Sequence, residues 1–274
     1  MGLNNLLFKI TAMTNLHVGT GDRNYSIVDK LVQRDPITKM PEIHASSLKG
    51  ALRVYSKDVL GWKDKLNDVF GTENNPGKDV FFTANLLTLP VRSNKRPYFR
   101  ATCPEILKNL QKMTRAFGLK KNKLDELLEY MLNISFTSGK QVVVFTDSIR
   151  DGALEEVPLK DNYQYMELEK PMQDTLKTQF DACIENFLII RDDVFMELCD
   201  SLPIIARNRL DDERNLWYEE VVPRQTDFFF MYLTPDKEED CSMTMICNNS
   251  IQENPVQIGA NASIGYGYCI IKKM

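Results

Sequence analysis

The sequence predicts an α+β fold from three observations. Segments with strand-like alternation or β-branched runs are interleaved with segments that have a helical apolar period. Late in the chain, two strand-like arms over about 203–223 flank a polar turn, which indicates a β-hairpin. No linker, low-complexity stretch or repeat divides the chain, so one domain over 1–274 with insertions is favoured over two independent domains.

The N-terminal part predicts a strand, a loop and a helix in that order. Residues 6–18 alternate loosely between apolar and polar positions and predict a first strand. Residues 19–42 have no sustained period and carry Gly, Asp, Asn and Pro, which is typical of a long loop. A 3.6-residue apolar period then begins at Ser46, and it predicts a helix that Ser46 or Ser47 caps and Gly61 ends.

The rest of the chain continues with helices and strands. Pro at a first turn and apolar residues on one face predict a helix over 104–117, and a second helix follows over 124–133. Together with the charge of this region, these helices predict a helical and basic insertion over about 62–140. Strands are predicted at QVVVFTDSI, ENFLIIR, TDFFFMYLTP and the C-terminus, and a short helix at DDVFMELCDSL.

Composition excludes several classes of protein. Hydrophobic residues make up 43% of the chain and charged residues 26%, as in an ordinary globular protein. No apolar run approaches the roughly 20 residues of a membrane span, and the N-terminus lacks a signal-peptide pattern, so we expect a cytoplasmic protein without membrane contact. Six cysteines without a C-x-x-C pair and only two histidines argue against a structural zinc site.

Charge is unevenly distributed, although the net charge of −4 argues against a solitary nucleic-acid-binding protein. Residues 92–123 carry ten Lys or Arg against Glu105 alone, a balance of +9. Residues 181–220 carry four Arg against eleven Asp or Glu, a balance of −7. Such a chain could place one face on a phosphate backbone and another against protein subunits, or both runs could be solvated surface.

Two groups of residues could serve phosphate chemistry. Lys49 and Arg53 lie four apart on the helix that begins near Ser46, where unpaired N–H groups could also meet an anion. The C-terminal run GANASIGYG offers close backbone approach through its glycines, but it matches no phosphate-loop fingerprint. Solvated cations and a structural turn are the alternative interpretations.

Three further residues could take part in a reaction. His17 and His44 are the only imidazoles, so a mechanism that needs a histidine pair must use both. Asp29 lies inside the predicted long loop, an unusual place for a carboxylate that stabilises a core. Each of the three could equally be a structural or solvated side chain.

Three blocks of sequence resemble one known family. The run LHVGTG followed by VDKLVQRDPITKMPEIHASSLKGALR resembles the N-terminal signature of the RAMP proteins of CRISPR systems. RNRLDDERNLWYEEVVP and QIGANASIGYGYCII resemble the middle and C-terminal signatures of the same family. Within it, the chain is most similar to the backbone subunits of type III effector complexes, type III-B (Cmr) ahead of type III-A (Csm).

The resemblance implies a fold and an activity. Family members have a ferredoxin-like, RRM-like palm and a β-hairpin thumb, which 203–223 would form here. They assemble as a homo-oligomeric filament along a guide crRNA, with other Cmr-type or Csm-type subunits. They cut single-stranded target RNA at regular intervals. RNA itself supplies a nucleophile for this reaction, since a 2′-OH can attack the neighbouring phosphate when the linkage is splayed into line. Asp29 could then hold Mg²⁺ or Mn²⁺ near the phosphate or accept the 2′-OH proton.

Site residues follow from the positions that match the family signatures. Asp29 would be the catalytic residue and the metal ligand. His17 is a second catalytic candidate because of its residue type, not because of the resemblance. The positions that would bind RNA lie at the helix start and in the Gly-rich loop: Ser46, Ser47, Lys49, Arg53, Gly259, Ala260, Asn261, Gly265 and Gly267.

The chain departs from the family pattern at two places. His44 and Ala45 stand where the family often has Pro-Gly, and Gly259 and Ala260 stand where it often has Gly-Gly. These departures affect the loop contacts. Two other functions remain open: a non-catalytic scaffold of the same complex, and a guide-processing RAMP endoribonuclease that acts as a lone protein.

Overall fold

The computed structural model describes residues 3–21, 28–119, 122–146, 154, 162–208 and 216–274. Strands and helices are interleaved along these residues, which confirms the predicted α+β class. In chain order the strands are β1 (Asn4–Ala12), β2 (Glu42–Ile43), β3 (Val80–Phe81), β4 (Ala84–Val91), β5 (Phe99–Thr102), β6 (Val142–Val144), β7 (Tyr163–Tyr165), β8 (Phe187–Ile190), β9 (Ile204–Asn208), β10 (Leu216–Glu220), β11 (Asp227–Thr234), β12 (Val256–Gln257) and β13 (Tyr268–Lys273). The helices are α1 (Ala45–Asp58), α2 (Asp64–Phe70), α3 (Pro104–Ala116), α4 (Lys123–Leu132), α5 (Lys170–Phe180), α6 (Asp192–Asp200) and α7 (Ser242–Gln252).

The chain separates into two compact units. The first combines Met1–Leu86 with Ser201–Lys273, and the second is Leu87–Asp200. The range 62–140, predicted as helical, also contains strands β3, β4 and β5, because runs such as NLLTLPV bury residues on both faces of a strand. The prediction of one domain with an insertion over this range stays a prediction.

The sheet of the first unit has a ferredoxin-like order. Strand β1 pairs antiparallel with β11 on one side and with β13 on the other, and β3 pairs with the far edge of β11. Helix α1 follows β1 in the chain, and α7 lies between β11 and β13. The result is a βαββαβ unit in which the first strand lies between the third and the fourth.

Aromatic side chains fill the core beneath this sheet. Seven of the eight residues of β11, in the run DFFFMYLT, are buried. The Phe8 and Phe230 rings stack with centroids 5.6 Å apart, and the Phe81 and Tyr232 centroids are 5.2 Å apart. Burial of such large apolar side chains is the main stabilising term for a sheet of this kind.

Strands β9 and β10 form a separate two-stranded antiparallel sheet in the first unit. Their register pairs Trp217 with Arg207 and Glu219 with Ile205. Both arms of the predicted hairpin over 203–223 are therefore confirmed. Its predicted polar turn, Asp211 to Asn215, lies outside the described residues.

The second unit is built on a mixed sheet. Strand β5 pairs antiparallel with β4 and parallel with β8, while β6 joins β8 antiparallel and β7 parallel. Helix α4 packs against α3 and against α5. The buried face of α3 carries Ile106, Leu107 and Leu110. No helix in the described parts of the chain is both long enough and apolar enough to cross a bilayer.

Two predicted boundaries are wrong in detail. The first strand was expected over 6–18, but β1 ends at Ala12, because the chain then leaves the sheet and Leu16 pairs with Val222. The predicted serine cap is also wrong: the N-cap of α1 is His44, and no side chain of that residue caps the helix. Ser46 and Ser47 lie inside the first helical turn.

Candidate functional site

The base of the β9–β10 hairpin gathers segments that are distant in sequence. The segment that begins at Asp29 runs parallel to β10: the Asp29 and Lys30 amides donate to the Tyr218 carbonyl, at 3.1 and 3.3 Å. The Glu220 amide in turn donates to the Lys30 carbonyl at 2.9 Å. These backbone bonds fix Asp29 and Lys30 against the hairpin, so Asp29 has a defined place.

The Asp29 carboxylate is held at one oxygen. Its Oδ2 accepts a hydrogen bond from the Tyr218 amide at 2.8 Å, and the residue is half-buried. Within the described parts of the chain, Oδ1 has no hydrogen-bond partner. A carboxylate that is oriented by one oxygen and open at the other can accept a proton or bind a cation.

His17 is buried beside the same strand, with 3% of its surface exposed. Its Nδ1 lies 2.7 Å from the Glu220 carbonyl oxygen, which only accepts, so Nδ1 carries a proton. The Nε2 atom therefore points away from that bond and lies 3.6 Å from Glu219 Oε1. Gly19 makes room for the ring, since a Cβ there would approach Nε2 to 2.9 Å.

Glu219 connects the hairpin to the C-terminal loop. It is 1% exposed, and its carboxylate accepts a hydrogen bond from Arg207 Nε. The side-chain Nδ2 of Asn261 donates to both carboxylate oxygens, at 3.0 Å to Oε1 and 2.9 Å to Oε2. Burial by itself would raise the pKa of this carboxyl, but the Asn261 hydrogen bonds, the neighbouring His17 ring and the Arg207 guanidinium outweigh burial and lower the pKa. Glu219 is therefore an anion whose partners come from three segments.

Glu220 also connects the hairpin to another segment, on the other face of β10. Its carboxylate accepts from the Val32 amide at 3.0 Å and from Arg34 Nη2 at 2.5 Å. Consecutive residues of a strand point to opposite faces. One glutamate therefore holds the C-terminal loop near His17, and its neighbour holds the segment that follows Asp29.

The predicted Gly-rich loop packs on the segment around His17. The Ala260 amide donates to the His17 carbonyl at 2.8 Å, and the Gly267 amide donates to the Asn15 carbonyl at 2.9 Å. Gly259 has φ +85°, and a Cβ there would lie 2.4 Å from the His17 carbonyl oxygen. Only glycine suits this close approach. Gly265 ends the short 3₁₀ turn Ala262–Ile264 and has open space around it.

The predicted RNA-binding residues of α1 have different surroundings. Ser46 is exposed, and Ser47 Oγ accepts a hydrogen bond from the side-chain Nε2 of Gln33 at 3.0 Å. The Lys49 ammonium lies 6.0 Å from the centre of the Phe81 ring.

Arg53, the remaining predicted contact on this helix, is engaged within the protein. Its guanidinium donates to the Gly71 carbonyl at 2.6 Å and to Asn67 Oδ1 at 3.1 Å. It therefore braces the C-terminus of α2, and Lys49 is the freer of the two cations.

An open pocket of about 410 Å³ lies between the segments at the hairpin base. Its volume is within the range of ordinary ligand sites. The lining residues are His17, Gly19, Thr20, Gly21, Lys30, Leu31 and Ala260. The pocket thus joins the His17 segment, the neighbour of Asp29 and the Gly-rich loop, whereas the predicted residues of α1 do not line it.

Among the described residues of this site, Asp29 is the carboxylate that could bind a metal ion. In the parts of the chain that the structure describes, no three His, Cys, Asp or Glu side chains are grouped as a metal site. Mg²⁺ is often bound by one or two carboxylates together with substrate phosphates and water. Asp29 fits a metal shared with a phosphate, and it does not fit a metal held by the protein alone.

Sequence reasoning missed four residues that assemble this site: Gln33, Arg207, Glu219 and Glu220. The two glutamates were counted in the acidic run and treated as surface, yet 1% and 6% of their areas are exposed. A signal was present, because adjacent glutamates in the strand-like run LWYEEVV must put at least one carboxylate on a covered face.

The basic run over 92–123 is only partly available at the surface. Arg100 is buried, Arg96 donates to the Glu185 carbonyl, and Arg115 pairs with Asp125. Lys108, Lys112 and Lys123 are exposed, and Lys120 and Lys121 lie outside the described residues. The run is therefore a smaller cationic surface than its balance of +9 suggests.

Comparison with known proteins identifies relatives along nearly the whole chain. The family model of the RAMP superfamily matches residues 9–270. The CRISPR system Cmr endoribonuclease Cmr4 of Pyrococcus furiosus is 30% identical, over 96% of this chain and 93% of that protein. The CRISPR system CMR subunit Cmr4 of Saccharolobus solfataricus is 26% identical, over 82% of this chain and 83% of that protein.

Solved structures resemble the fold at similar coverage. Oligomeric Cmr4 from Pyrococcus furiosus superposes with a TM-score of 0.71 at 25% identity, covering 99% of both chains. A chain of the type III-B Cmr-beta complex bound to cognate target RNA gives a TM-score of 0.77 at 24% identity, covering 98% of this chain and 97% of that chain. The second likeness concerns the fold alone.

Proposed function

The chain belongs to the RAMP superfamily, and on that premise we propose that it is the backbone subunit of a type III-B CRISPR effector complex. In this proposal, copies of the chain line up as a filament along a guide crRNA, with other Cmr-type subunits. The target RNA that pairs with the guide is cut by each copy. In this proposal, guide binding and target cutting take place in the cytoplasm.

The observation that carries the catalytic part is the Asp29 carboxylate, which is held by the Tyr218 backbone N–H and whose second oxygen has no partner among the described residues. RNA contains its own nucleophile: a 2′-OH can attack the adjacent phosphate when the linkage is splayed into line, leaving a 2′,3′-cyclic phosphate and a 5′-OH. Asp29 would accept the 2′-OH proton. General-base catalysis of this kind is typically worth about 10²- to 10⁴-fold.

His17 is the second candidate for proton transfer. Because Nδ1 donates to the Glu220 carbonyl, Nε2 is the ring nitrogen that would accept a proton, and the residue lines the pocket. Nearby Glu219 would stabilise an imidazolium after the ring accepts a proton.

Guide binding is assigned to the start of α1 and to the Gly-rich loop. Lys49 and the unpaired amides of the first helical turn would meet guide phosphates, and Ala260 and Asn261 would contact the RNA from the opposite loop. Arg53 would have to give up its bonds to Gly71 and Asn67 to reach a phosphate.

Mg²⁺ or Mn²⁺ belongs to the same proposal. Asp29 would supply the protein ligand, and a bound divalent ion would neutralise charge on the phosphate that is cut. Chelation by EDTA should stop cutting and leave guide binding in place.

The decisive experiment changes Asp29 in the assembled complex. Asp29→Asn keeps an oxygen that can accept from the Tyr218 amide but removes the charge, and Asp29→Ala removes both. We expect both variants to retain guide and target RNA and to lose cutting by about 10²-fold or more. Denaturing gels of labelled target measure cutting, and filter binding measures retention.

Glu73→Ala is the matched control, since Glu73 is an exposed loop carboxylate of the same unit. It should cut at the wild-type rate. Normal cutting by Asp29→Asn would favour the non-catalytic scaffold instead. Cleavage of repeat RNA by the purified chain alone would favour the guide-processing endoribonuclease.

A further inference from the structure

Gln33 links three segments of the site through one buried side chain. Only 6% of its area is exposed. The amide nitrogen Nε2 donates to the Gly19 carbonyl at 3.2 Å and to Ser47 Oγ at 3.0 Å. The amide oxygen Oε1 accepts from the His44 backbone N–H at 2.8 Å. The side-chain amide of Gln33 thus joins Gly19, which lines the pocket, to His44 and Ser47 at the start of α1.

The backbone of Gln33 extends the same connection. Its N–H donates to the Val18 carbonyl at 2.8 Å, and its carbonyl accepts from the Glu42 amide at 3.0 Å. Four residues upstream lies Asp29, and the intervening Val32 amide is bound by the Glu220 carboxylate. The segment that presents Asp29 is therefore tied to the hairpin on one side and to α1 on the other.

The side chain also supplies one half of a capping box to α1, the bond to the backbone N–H of the N-cap residue. His44 is the N-cap of α1 and its own side chain caps nothing. The Gln33 oxygen binds the N–H of that residue, and the Gln33 nitrogen binds a hydroxyl in the first turn. A glutamine supplies both a donor and an acceptor at this point, which neither a carboxylate nor an apolar side chain can do.

We propose that Gln33 is a positioning residue that fixes the guide-holding start of α1 relative to the Asp29 segment, and thereby selects which phosphate of the target is cut. The inference rests on the proposed function. The phosphate held near Lys49 and the carboxylate at Asp29 belong to one rigid frame, with Gln33 as the buried connection. Errors of about 1 Å in such a frame can cost about 10²-fold in rate.

The test uses the assembled complex with its guide and a labelled complementary target RNA. Gln33→Met keeps the length of the side chain and removes all three side-chain bonds. We expect the cutting rate at saturating target to fall about 10- to 100-fold, with cuts spread to neighbouring phosphates and with guide and target retention near wild type. Cut positions are read at single-nucleotide resolution.

Gln164→Met is the matched control in the second unit. Gln164 also bridges chain segments, since Oε1 accepts from the Thr137 amide at 3.0 Å and Nε2 donates to the Ser135 carbonyl at 3.2 Å. Its replacement should lower the melting temperature of the chain and leave rate and cut positions unchanged. A purely structural role for Gln33 would give the same result as this control.

Gln33→Glu is the second variant, in case Gln33→Met fails to assemble. It keeps the acceptor for the His44 N–H and loses both donated bonds, so it should slow cutting and broaden the cut positions as well. Wild-type rate and cut positions in Gln33→Met would overturn the proposal. If Gln33→Met does not assemble, wild-type rate and cut positions in Gln33→Glu would overturn the proposal.

Asp29→Asn, assayed in parallel, separates this inference from the proposed function. Cutting by Asp29→Asn contradicts the catalytic assignment, whatever Gln33 does. An inactive Asp29→Asn beside fully normal Gln33 variants contradicts the positioning role alone.

Discussion

The first unit buries charged and polar side chains around the hairpin base, whereas each ion pair described in the second unit has an exposed member. His17, Glu219 and Glu220 are all less than 7% exposed. The Lys170–Asp174 pair of the second unit has side chains 78% and 64% exposed. Burying charge is costly unless every partner is in place. The difference indicates that the first unit carries the site. In the second unit the described ion pairs lie at the surface, and Arg100 is a buried charge outside those pairs.

Replacing Glu219 should have the largest effect on stability. Glu219→Ala leaves the mostly buried Arg207 without its carboxylate and the Asn261 amide without its acceptor. Breaking one partner of a buried pair costs about 3–5 kcal/mol. Asp174→Ala, at an exposed helical pair, should cost about 0.3–0.5 kcal/mol. Urea titration of both variants measures the two values, and equal losses would abolish the contrast between the units.

The same carboxylate predicts a pH dependence. The pKa of Glu219 is lowered in the folded protein, so its contribution is present above the ordinary value of 4.5 and is lost as pH falls through the lower folded-state pKa. The stability difference between the wild type and Glu219→Gln should therefore shrink below about pH 4.5. A difference that is constant from neutral to acid pH would mean that the carboxylate is not stabilised as an anion.

Two glycines with similar backbone angles offer a second contrast. Gly259 and Gly118 have φ +85° and +77°, but an added Cβ meets the His17 carbonyl at 2.4 Å in the first case and open space in the second. Gly118→Ala should cost about 1–2 kcal/mol from the left-handed backbone alone. Gly259→Ala should cost about 1–3 kcal/mol more because of the clash, and it should displace the loop that holds Asn261.

Thermal and urea unfolding measure the two glycine variants side by side. A larger loss for Gly118→Ala would show that the close packing of the Gly-rich loop on the His17 segment contributes little. Target cutting provides an independent measurement, since we expect only the Gly259 variant to slow it.

Local sequence patterns were enough for the fold class and for many elements. The apolar period over α1 and α3 and the β-branched run at Val142–Val144 each have one local cause, so one sequence is sufficient to find them. Strand β4 was missed because both of its faces are largely covered and its alternation is weak. The cap of α1 was misassigned because the helix begins one residue earlier, at Ala45, where the N-cap His44 is bound by a side chain from outside the helix, Gln33.

The site was predictable only in part. Asp29 and the Gly-rich loop were located from family signatures and His17 from its residue type, and the structure brings the last two into contact through the Ala260 backbone N–H. Glu220 binds Arg34, 186 residues away in the chain, and Glu219 binds Asn261, 42 residues away. Local propensity contains no information on such pairs.

Surface charge in the second unit should give the smallest effect on stability and a measurable effect on RNA binding. Lys108 and Lys112 are exposed on α3, so reversing both to Glu should change the free energy of unfolding by no more than about 0.5 kcal/mol. If this face meets RNA, each lost phosphate contact should reduce the salt dependence of binding, by about 0.7 in the log–log slope for a single strand. Lys177→Glu, at an exposed position of α5 in the same unit and outside the basic run, should leave the slope unchanged. An unchanged slope in the double variant would make the basic run ordinary solvated surface, and the two units would then differ in burial of charge alone.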